Sequence, residues 1–192
     1  MSIDLKLGDT PELIKTCLRE ECSLEQAAYI LGTIYWETNK TMKPVREAYW
    51  LSEDWRRDNL RYYPWYGRGH IQLTWETNYK RMGERLGVDL TTDPDAAMAS
   101  GVSVSIAVIG CMEGAFTGKA IPDYINDTKT DYRNARRVVN GMDKADTIAG
   151  LAEDYAAALS ASGYGVKVVQ PTNVLATLLA ALANLFKKWS KA

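Results

Sequence analysis

The sequence predicts a mostly helical domain with little β-strand. Helix-start signals recur along the chain, and apolar residues follow them at helical spacing. Only one short run, 71–74, is typical of an extended segment. At 192 residues the chain is long enough to form one domain with a sizeable core and a short appendage.

The first two helices have clear start signals. The run Thr10-Pro11-Glu12 combines a capping hydroxyl, a proline at the first helical position and a carboxylate at the positive end of the helix. Ser23 opens the second helix, with Gln26 completing a capping box. A core-facing stripe follows: Ala27, Ile30, Leu31 and Ile34. This stripe ends next to Glu37, so we expect the helix to hold that carboxylate rigidly.

The middle of the chain is less regular. Residues 50–65 are rich in Trp, Arg and Tyr but have no clear period. They predict either an irregular cleft wall or a surface loop with a few buried aromatics. The aromatic residues of the expected wall are Trp50, Trp55, Tyr62, Tyr63 and Trp65. Thr77 or Asn78 is expected to cap a helix that stops at Gly87. Asp93-Pro94 is then expected to start the next helix.

Three further segments complete the predicted domain. The segment 102–112 is apolar nearly all round, which predicts a central buried helix. The segment 131–139 predicts a helix that is closed by Asn140-Gly141. The segment 143–160 is amphipathic and predicts the last helix of the domain.

The glycines and proline after this helix indicate a domain boundary. We predict a catalytic domain over 1–163, and a linker with an amphipathic basic helix over 164–192. The apolar part of the tail is too short to span a bilayer. Residues 172–191 are expected either to lie on a membrane surface or to pack on their own domain or on a second copy.

Composition excludes several classes of function. The net charge of −1 gives no general attraction to nucleic acid. Three cysteines form no disulfide framework, and the N-terminus does not resemble a signal peptide, so we expect synthesis and retention in the cytoplasm. His70 is the only histidine, which excludes a multi-histidine zinc site. We interpret His70 as a structural or a surface residue, although it is also the only candidate base for a Ser-His-Asp triad. No cofactor is implied.

Two carboxylates form the candidate catalytic pair. Glu37 and Glu47 lie ten residues apart, which on one helix would separate them by roughly 80° and about 15 Å. Pro44 rules out a continuous helix between them. Glu47 must therefore return towards Glu37 through a loop or hairpin. Two carboxylates that face each other across a gap are what a glycosidase needs, one as acid and one as base.

A second stretch resembles a known family. The run from Tyr66 to Tyr79 is similar to the signature Tyr-Gly-Arg-Gly-x-Ile-Gln-Leu-(Ser/Thr)-x-x-x-Asn-Tyr of glycoside hydrolase family 19, which holds plant chitinases and many phage endolysins. Glu37-Thr38 resembles the family's His-Glu-Thr element. The run Thr41-Met-Lys-Pro-Val-Arg-Glu47 resembles the endolysin branch in particular. The resemblance covers 27–159 and implies a mainly α, lysozyme-like (α+β) fold with two helical lobes around a cleft and a short β-hairpin.

The resemblance also implies roles for particular residues. Glu37 would be the general acid, Glu47 the general base, and Thr74 would hold the attacking water. The residues expected to bind sugar are Tyr66, Arg68, Gln72, Asn78 and Asn140. Such enzymes invert the anomeric carbon, which requires roughly 6.5–9.5 Å between the two carboxyl groups. In one departure from the family pattern, Trp36 stands where the family has His.

The predicted function is that of an endolysin, a muramidase that hydrolyses the β-1,4 bond between N-acetylmuramic acid and N-acetylglucosamine in peptidoglycan. The alternatives are a chitinase on the same fold and a non-catalytic cell-wall-binding relative. The endolysin resemblance implies that the protein waits in the host cytoplasm and reaches the periplasmic cell wall after a holin opens the membrane. We expect a monomer.

Overall fold

The computed structural model describes residues 3–165, and these residues are mainly helical. They form seven α-helices: α1 Thr10–Arg19, α2 Leu24–Glu37, α3 Glu53–Asn59, α4 Glu76–Leu86, α5 Ser100–Glu113, α6 Tyr132–Ala135 and α7 Ala145–Ser162. Single 3-10 turns occupy Pro94–Met98, Ile121–Asp123 and Arg136–Val138. The strands are β1 Val45–Arg46, β2 Arg68–Gly69, β3 Ile125–Asn126 and β4 Lys129–Thr130. The predicted fold class, mainly α with a short antiparallel pair, is confirmed.

The capping box predicted at the start of α2 is present. The Ser23 hydroxyl accepts a hydrogen bond from the Gln26 N–H, and the Gln26 side chain accepts one from the Ser23 N–H. The predicted core-facing stripe is fully buried, and α2 ends at Glu37. At α1 the prediction was wrong by one residue. Asp9 precedes the helix, and the Thr10 hydroxyl donates to the Leu7 carbonyl instead.

Two predictions for the middle of the chain were wrong. The segment expected to be irregular contains α3, because the Ser52 hydroxyl accepts from the Trp55 N–H and starts the helix. Neither Thr77 nor Asn78 caps α4. That helix follows Trp75, whose φ of +77° lies in the left-handed region. The predicted stop at Gly87 is confirmed, with a φ of +67°.

Helices α5, α2 and α7 build much of the hydrophobic core. In α5, as predicted, nearly every residue between Ser103 and Cys111 is buried. Helix α2 packs along α7 so closely that a Cβ on Gly32 would lie 2.9 Å from the Ala152 nitrogen. This packing fixes the end of α2, and with it Glu37, against the body of the domain.

A two-stranded antiparallel sheet places the second carboxylate. Val45 pairs with Gly69 and Arg46 with Arg68, so the loop after Pro44 returns to the signature segment. Glu47 follows β1 directly. This is the predicted return towards the site, although a long connection rather than a tight turn joins the two strands. The second sheet, β3 with β4, was not predicted.

The predicted tail lies almost wholly beyond this region. Residues 166–192, which carry the expected linker and basic helix, are outside the described residues. Within 3–165, no helix is long and apolar enough to cross a membrane.

Candidate active site

Glu37 is held by a single buried cation. Its Oε1 accepts a hydrogen bond from Arg136 Nη1 at 2.7 Å, and Arg136 is only 3% exposed. Arg136 Nε in turn donates to the Asp143 carbonyl at 3.1 Å, so the guanidinium is itself fixed. Within residues 3–165, Glu37 Oε2 has no hydrogen-bond partner. One oxygen of Glu37 is therefore anchored and the other is left for a substrate.

Glu47 is held differently, because both of its oxygens accept from protein donors. The Tyr62 hydroxyl donates to Oε1 at 2.6 Å, and the Gly67 N–H donates to Oε2 at 2.9 Å. Burial, reinforced by the hydrogen bond to Glu47, raises the pKa of Tyr62 to about 12, so this phenol remains a donor at neutral pH. The Glu47 N–H also donates to the Gly67 carbonyl at 2.7 Å, which continues the β1–β2 pairing.

A buried arginine supports the backbone around Glu47. Arg56, on α3, donates from Nε to the Glu47 carbonyl at 2.9 Å and from Nη2 to the Ala48 carbonyl at 2.9 Å. Its third contact is an ion pair with Glu53 at 3.1 Å. The helix that sequence patterning failed to predict therefore supplies the clamp on the segment that carries the second carboxylate.

The two carboxylates open into adjoining compartments of one cleft. The Asn140 compartment, of about 290 Å³, is lined by Glu37, Ile71, Gln72, Thr74, Trp75, Asn78, Phe116, Val139 and Asn140. The Glu47 compartment, of about 220 Å³, is lined by Glu37, Thr38, Asn39, Val45, Arg46, Glu47, Ala48, Tyr49, Trp50 and Gln72. Glu37 and Gln72 belong to both and mark the boundary. Two larger hollows elsewhere, of about 470 and 620 Å³, contain neither carboxylate.

Three of the predicted site residues share the Asn140 compartment with Glu37. The Thr74 hydroxyl donates to the Gln72 carbonyl at 2.8 Å, which leaves its oxygen able to accept from a water. Asn78 Nδ2 donates to the Thr74 carbonyl at 2.9 Å. Asn140 is exposed, and its Oδ1 accepts from the Gly141 N–H at 2.8 Å. Their roles towards water and sugar stay predictions.

Gln72 serves the framework as well as the cleft. Its Nε2 donates to the Val45 carbonyl at 2.9 Å and to the Gly69 carbonyl at 3.2 Å, and this joins β1 to β2 across the site. Both amide hydrogens are therefore used within the protein. Only the side-chain carbonyl of Gln72 remains available to a sugar hydroxyl.

Tyr66 and Arg68 correct the sequence-based prediction, because neither side chain reaches the cleft. Tyr66 is 0% exposed, and its hydroxyl accepts from Arg46 and donates to Glu53. The Arg68 guanidinium lies 3.6 Å from the centre of the Tyr66 ring and pairs with Asp95 at 2.7 Å. Some residues of the signature line the cleft, whereas others hold the surrounding backbone and side chains in place. Tyr66 and Arg68 are of the second kind.

His70 is buried, which favours the structural interpretation over the surface one. Its Nδ1 lies 2.7 Å from Ser103 Oγ, and its Nε2 lies 3.2 Å from Asp9 Oδ2. Burial lowers the pKa of His70, and the nearby Asp9 opposes that shift. This Ser-His-Asp set is not a catalytic triad, because His70 and Ser103 are each 1% exposed and line neither compartment.

Sequence reasoning missed two residues of the site, Arg136 and Trp75, and the role of a third, Tyr62. Arg136 is 99 residues from Glu37 in the chain, so no local spacing could connect them. Tyr62 was expected in the wall of the cleft, but its hydrogen bond to Glu47 was not predicted. Trp75 has a strained backbone, and its ring packs edge-to-face on Tyr62 at 4.9 Å between centroids. Within 3–165, no group of three or more His, Cys, Asp or Glu side chains could hold a metal ion.

Comparison with known proteins decides the family. The profile described as Chitinase class I, that of glycoside hydrolase family 19, matches residues 22–117, which is half of the chain. The chain belongs to glycoside hydrolase family 19. The matched range includes Glu37, Glu47, Gln72, Thr74 and Asn78, whereas Arg136 and Asn140 lie beyond it.

Members of family 19 match this chain over short stretches. Chitinase 8 of Oryza sativa subsp. japonica is 49% identical over 39 residues, 20% of this chain and 15% of that protein. Inactive chitinase-like protein 1 of Hevea brasiliensis is 55% identical over 31 residues, 16% of this chain and 10% of that protein. The crystal structure of chitinase C from Streptomyces griseus HUT6037 has a TM-score of 0.54 at 19% identity, covering 71% of this chain and 60% of that one. This likeness shows the shared family 19 fold.

The family's His before the acidic residue is Trp36 in this chain. The Trp36 ring is partly buried and packs against the hydrophobic core, and it lines neither compartment of the cleft. The side chain that contacts the Glu37 carboxylate is instead Arg136. In this member of family 19, the residue at the His position therefore helps to anchor the end of α2 in the core.

Proposed function

We propose that this protein is a peptidoglycan-degrading endolysin, a muramidase that hydrolyses the β-1,4 bond between N-acetylmuramic acid and N-acetylglucosamine. The observation that carries the proposal is that Glu37 and Glu47 open into one cleft whose two compartments share Glu37 and Gln72. Family 19 membership supports glycosidase activity. The likeness of the run Thr41–Glu47 to endolysins supports peptidoglycan as the substrate.

Hydrogen-bond geometry supports Glu37 as the general acid. Arg136 can only donate, so Glu37 Oε1 accepts from it, and Oε2 is the oxygen left to present a proton to the substrate. Oε2 is the oxygen that faces no protein partner within 3–165. It can therefore donate its proton to the leaving glycosidic oxygen, after which the resulting carboxylate is stabilised by Arg136 at 2.7 Å.

The surroundings of Glu47 support the complementary role. Both oxygens of Glu47 face donors, Tyr62 and Gly67, so each must accept in this arrangement. Each carboxylate oxygen has a second lone pair that can take a hydrogen from water. Glu47 is thus suited to remove a proton from the attacking water, which Thr74 would hold on the face of the sugar opposite Glu37. Attack from that face inverts the anomeric carbon.

A chitinase is the second candidate, and a specific observation favours it. The relatives that match this chain are named as chitinases or as chitinase-like. Chitin and peptidoglycan share the β-1,4-linked N-acetylhexosamine backbone, so the same acid and base would serve both. The two substrates differ in the lactyl group and peptide of peptidoglycan, which a muramidase must accommodate.

The remaining alternative is a wall-binding relative without catalysis. One similar protein is named as an inactive chitinase-like protein. The presence of Glu37, Glu47 and Thr74 together argues against inactivity, because a protein that only binds needs no acid and base.

As part of the proposal, the enzyme waits in the host cytoplasm and acts on the periplasmic wall after holin-type release. Residues 172–191 would contact the membrane surface on the way.

The test is hydrolysis of purified peptidoglycan by wild type and Glu37→Gln, with mass spectrometry of the released glycans. General acid catalysis contributes about 10²–10⁴-fold, so we expect a rate loss of that size and N-acetylmuramic acid at new reducing ends. Glu84→Gln is the matched control, since Glu84 is exposed on α4 away from the cleft, and it should keep wild-type activity.

Several outcomes would contradict the proposal that the protein is a muramidase. N-acetylglucosamine at the new reducing ends would identify a glucosaminidase, and anhydro-muramic ends would identify a lytic transglycosylase. If wild type cleaves N-acetylglucosamine oligomers but not peptidoglycan, the chitinase candidate replaces it. If Glu37→Gln binds and acts like wild type, Glu37 is not the acid.

A further inference from the structure

Two exposed aromatic rings stand at the edge of the cleft. Tyr49 is 62% exposed and Trp50 is 72% exposed, although large aromatic side chains are usually well buried. Their rings meet edge-to-face, with centroids 5.1 Å apart and planes at 85°. Each ring supports the other, and a broad apolar face remains open to solvent.

The backbone holds this ring pair rigidly. Tyr49 and Trp50 are the central residues of a turn in which the Leu51 N–H donates to the Ala48 carbonyl at 2.9 Å. The same carbonyl accepts from Arg56 Nη2 at 2.9 Å, and Ala48 has a φ of +48°. A platform fixed in this way loses little conformational freedom when a ligand stacks on it.

The ring pair is continuous with the candidate catalytic site. Tyr49 and Trp50 line the Glu47 compartment together with Glu47 itself, and Arg56 clamps the carbonyls of both Glu47 and Ala48. We infer that Tyr49 and Trp50 form a sugar-binding platform for an N-acetylhexosamine ring of the glycan strand, on the Glu47 side of the scissile bond. This inference rests on the proposed function and adds a subsite to it.

The chemistry around the rings favours a sugar over other occupants. A pyranose ring offers an apolar C–H face and a polar rim. The compartment pairs the aromatic faces with polar side chains, among them Asn39 and Arg46. A protein partner usually covers about 800 Å² on each side. Two aromatic side chains supply at most about 500 Å², which is too little for a protein partner but enough for a sugar ring.

The test measures binding without cleavage. The parent is the full-length protein with the single substitution Glu37→Gln. The parent and three double variants, which also carry Trp50→Ala, Trp50→Phe or Trp55→Ala, are titrated with the N-acetylglucosamine hexamer. We expect Trp50→Ala to raise Kd about tenfold, which corresponds to about 1.4 kcal/mol, and Trp50→Phe to restore most of the affinity. Trp55 is the matched control, because it is exposed on α3 but lines neither compartment, and its variant should bind like the parent.

The outcomes separate this inference from the proposed function. Equal affinity of the parent and Trp50→Ala for the hexamer would overturn the platform. Equal losses of affinity in Trp50→Ala and Trp55→Ala would also overturn it, as would the absence of measurable binding by the parent. Thermal melting of each variant shows whether the fold is intact. Because the hexamer shares its sugar with chitin and peptidoglycan, a loss specific to Trp50→Ala supports the platform even if wild type fails to cleave peptidoglycan.

Discussion

Replacing Gly67 with alanine should lower both the catalytic rate and the stability of the fold. A Cβ on Gly67 would lie 2.7 Å from Gln72 Oε1, 3.2 Å from Glu47 Oε2 and 3.3 Å from Glu47 Cβ. The Gln72 amide cannot swing away freely, because its Nε2 is bound to the carbonyls of Val45 and Gly69. The added methyl must therefore displace Glu47, the Gly67 backbone or the β1–β2 pairing.

The size of the effect follows from these distances. Ordinary van der Waals contact begins at 3.4 Å, so relief of the 2.7 Å contact requires a movement of about 0.7 Å. A misplacement of about 1 Å at a catalytic group can lower a rate by about 10²-fold. We expect Gly67→Ala to lower kcat about 10- to 100-fold on peptidoglycan. The overpacking should reduce the free energy of unfolding by about 1–3 kcal/mol.

The matched control is Gly150→Ala on α7, where no heavy atom lies within 4 Å of the added Cβ. This variant should keep wild-type kcat and gain about 0.5–1 kcal/mol of stability, since alanine is the better helix former. The measurements are kcat and KM on solubilised peptidoglycan, together with urea unfolding followed by circular dichroism. Wild-type kcat in Gly67→Ala would refute the idea that Gly67 leaves room for the Glu47 carboxylate.

Two further predictions concern stability. Ser23→Ala removes the cap of α2 and should lower the free energy of unfolding, measured in urea, by about 1 kcal/mol. Ser23→Asn should largely preserve the stability, because asparagine can also cap a helix. Equal losses of stability in both variants would exclude the cap as the cause. His70 has a folded-state pKa below its ordinary value of 6.5 because of burial, so below about pH 6.5 the unfolded chain binds a proton that the native state does not. Stability should therefore fall between about pH 6.5 and 5.5 in wild type, by at most about 1.4 kcal/mol per pH unit. The His70→Gln variant should show a shallower slope over this range, and identical slopes would contradict the assignment to His70.

Short sequence patterns correctly predicted helix α2, because its start and its buried face depend on residues that are close together in the chain. The capping box at Ser23 and the buried stripe after it were enough to place α2 and to put Glu37 at its end. By contrast, α3 is only seven residues long, and its aromatic and charged composition has no period. The start of α4 was misassigned because Trp75 adopts a left-handed backbone, which its residue type does not suggest.

Within the site, the sequence predicted residues that line the cleft better than it predicted the residues that hold them in place. Glu37, Thr74 and Asn140 share one compartment, as expected of residues drawn from one signature-bearing site. Tyr66 was misassigned because a signature records which residues recur together and not which of them face the cleft. Arg136 was missed because its contact with Glu37 spans 99 residues and depends on tertiary packing.

The supporting contacts give two identical side chains different surroundings, on which their proposed roles as acid and base depend. Glu37 meets one donor, Arg136, on one oxygen, so its second oxygen can carry a proton towards a substrate. Glu47 meets donors on both oxygens, Tyr62 and Gly67, and each oxygen keeps a second lone pair that can take a proton from water. The proposed assignment of acid and base rests on the donors placed around each carboxylate. Those donors come from the 3-10 turn after α6, from the segment after α3 and from the residue before β2, and only folding brings them to the cleft.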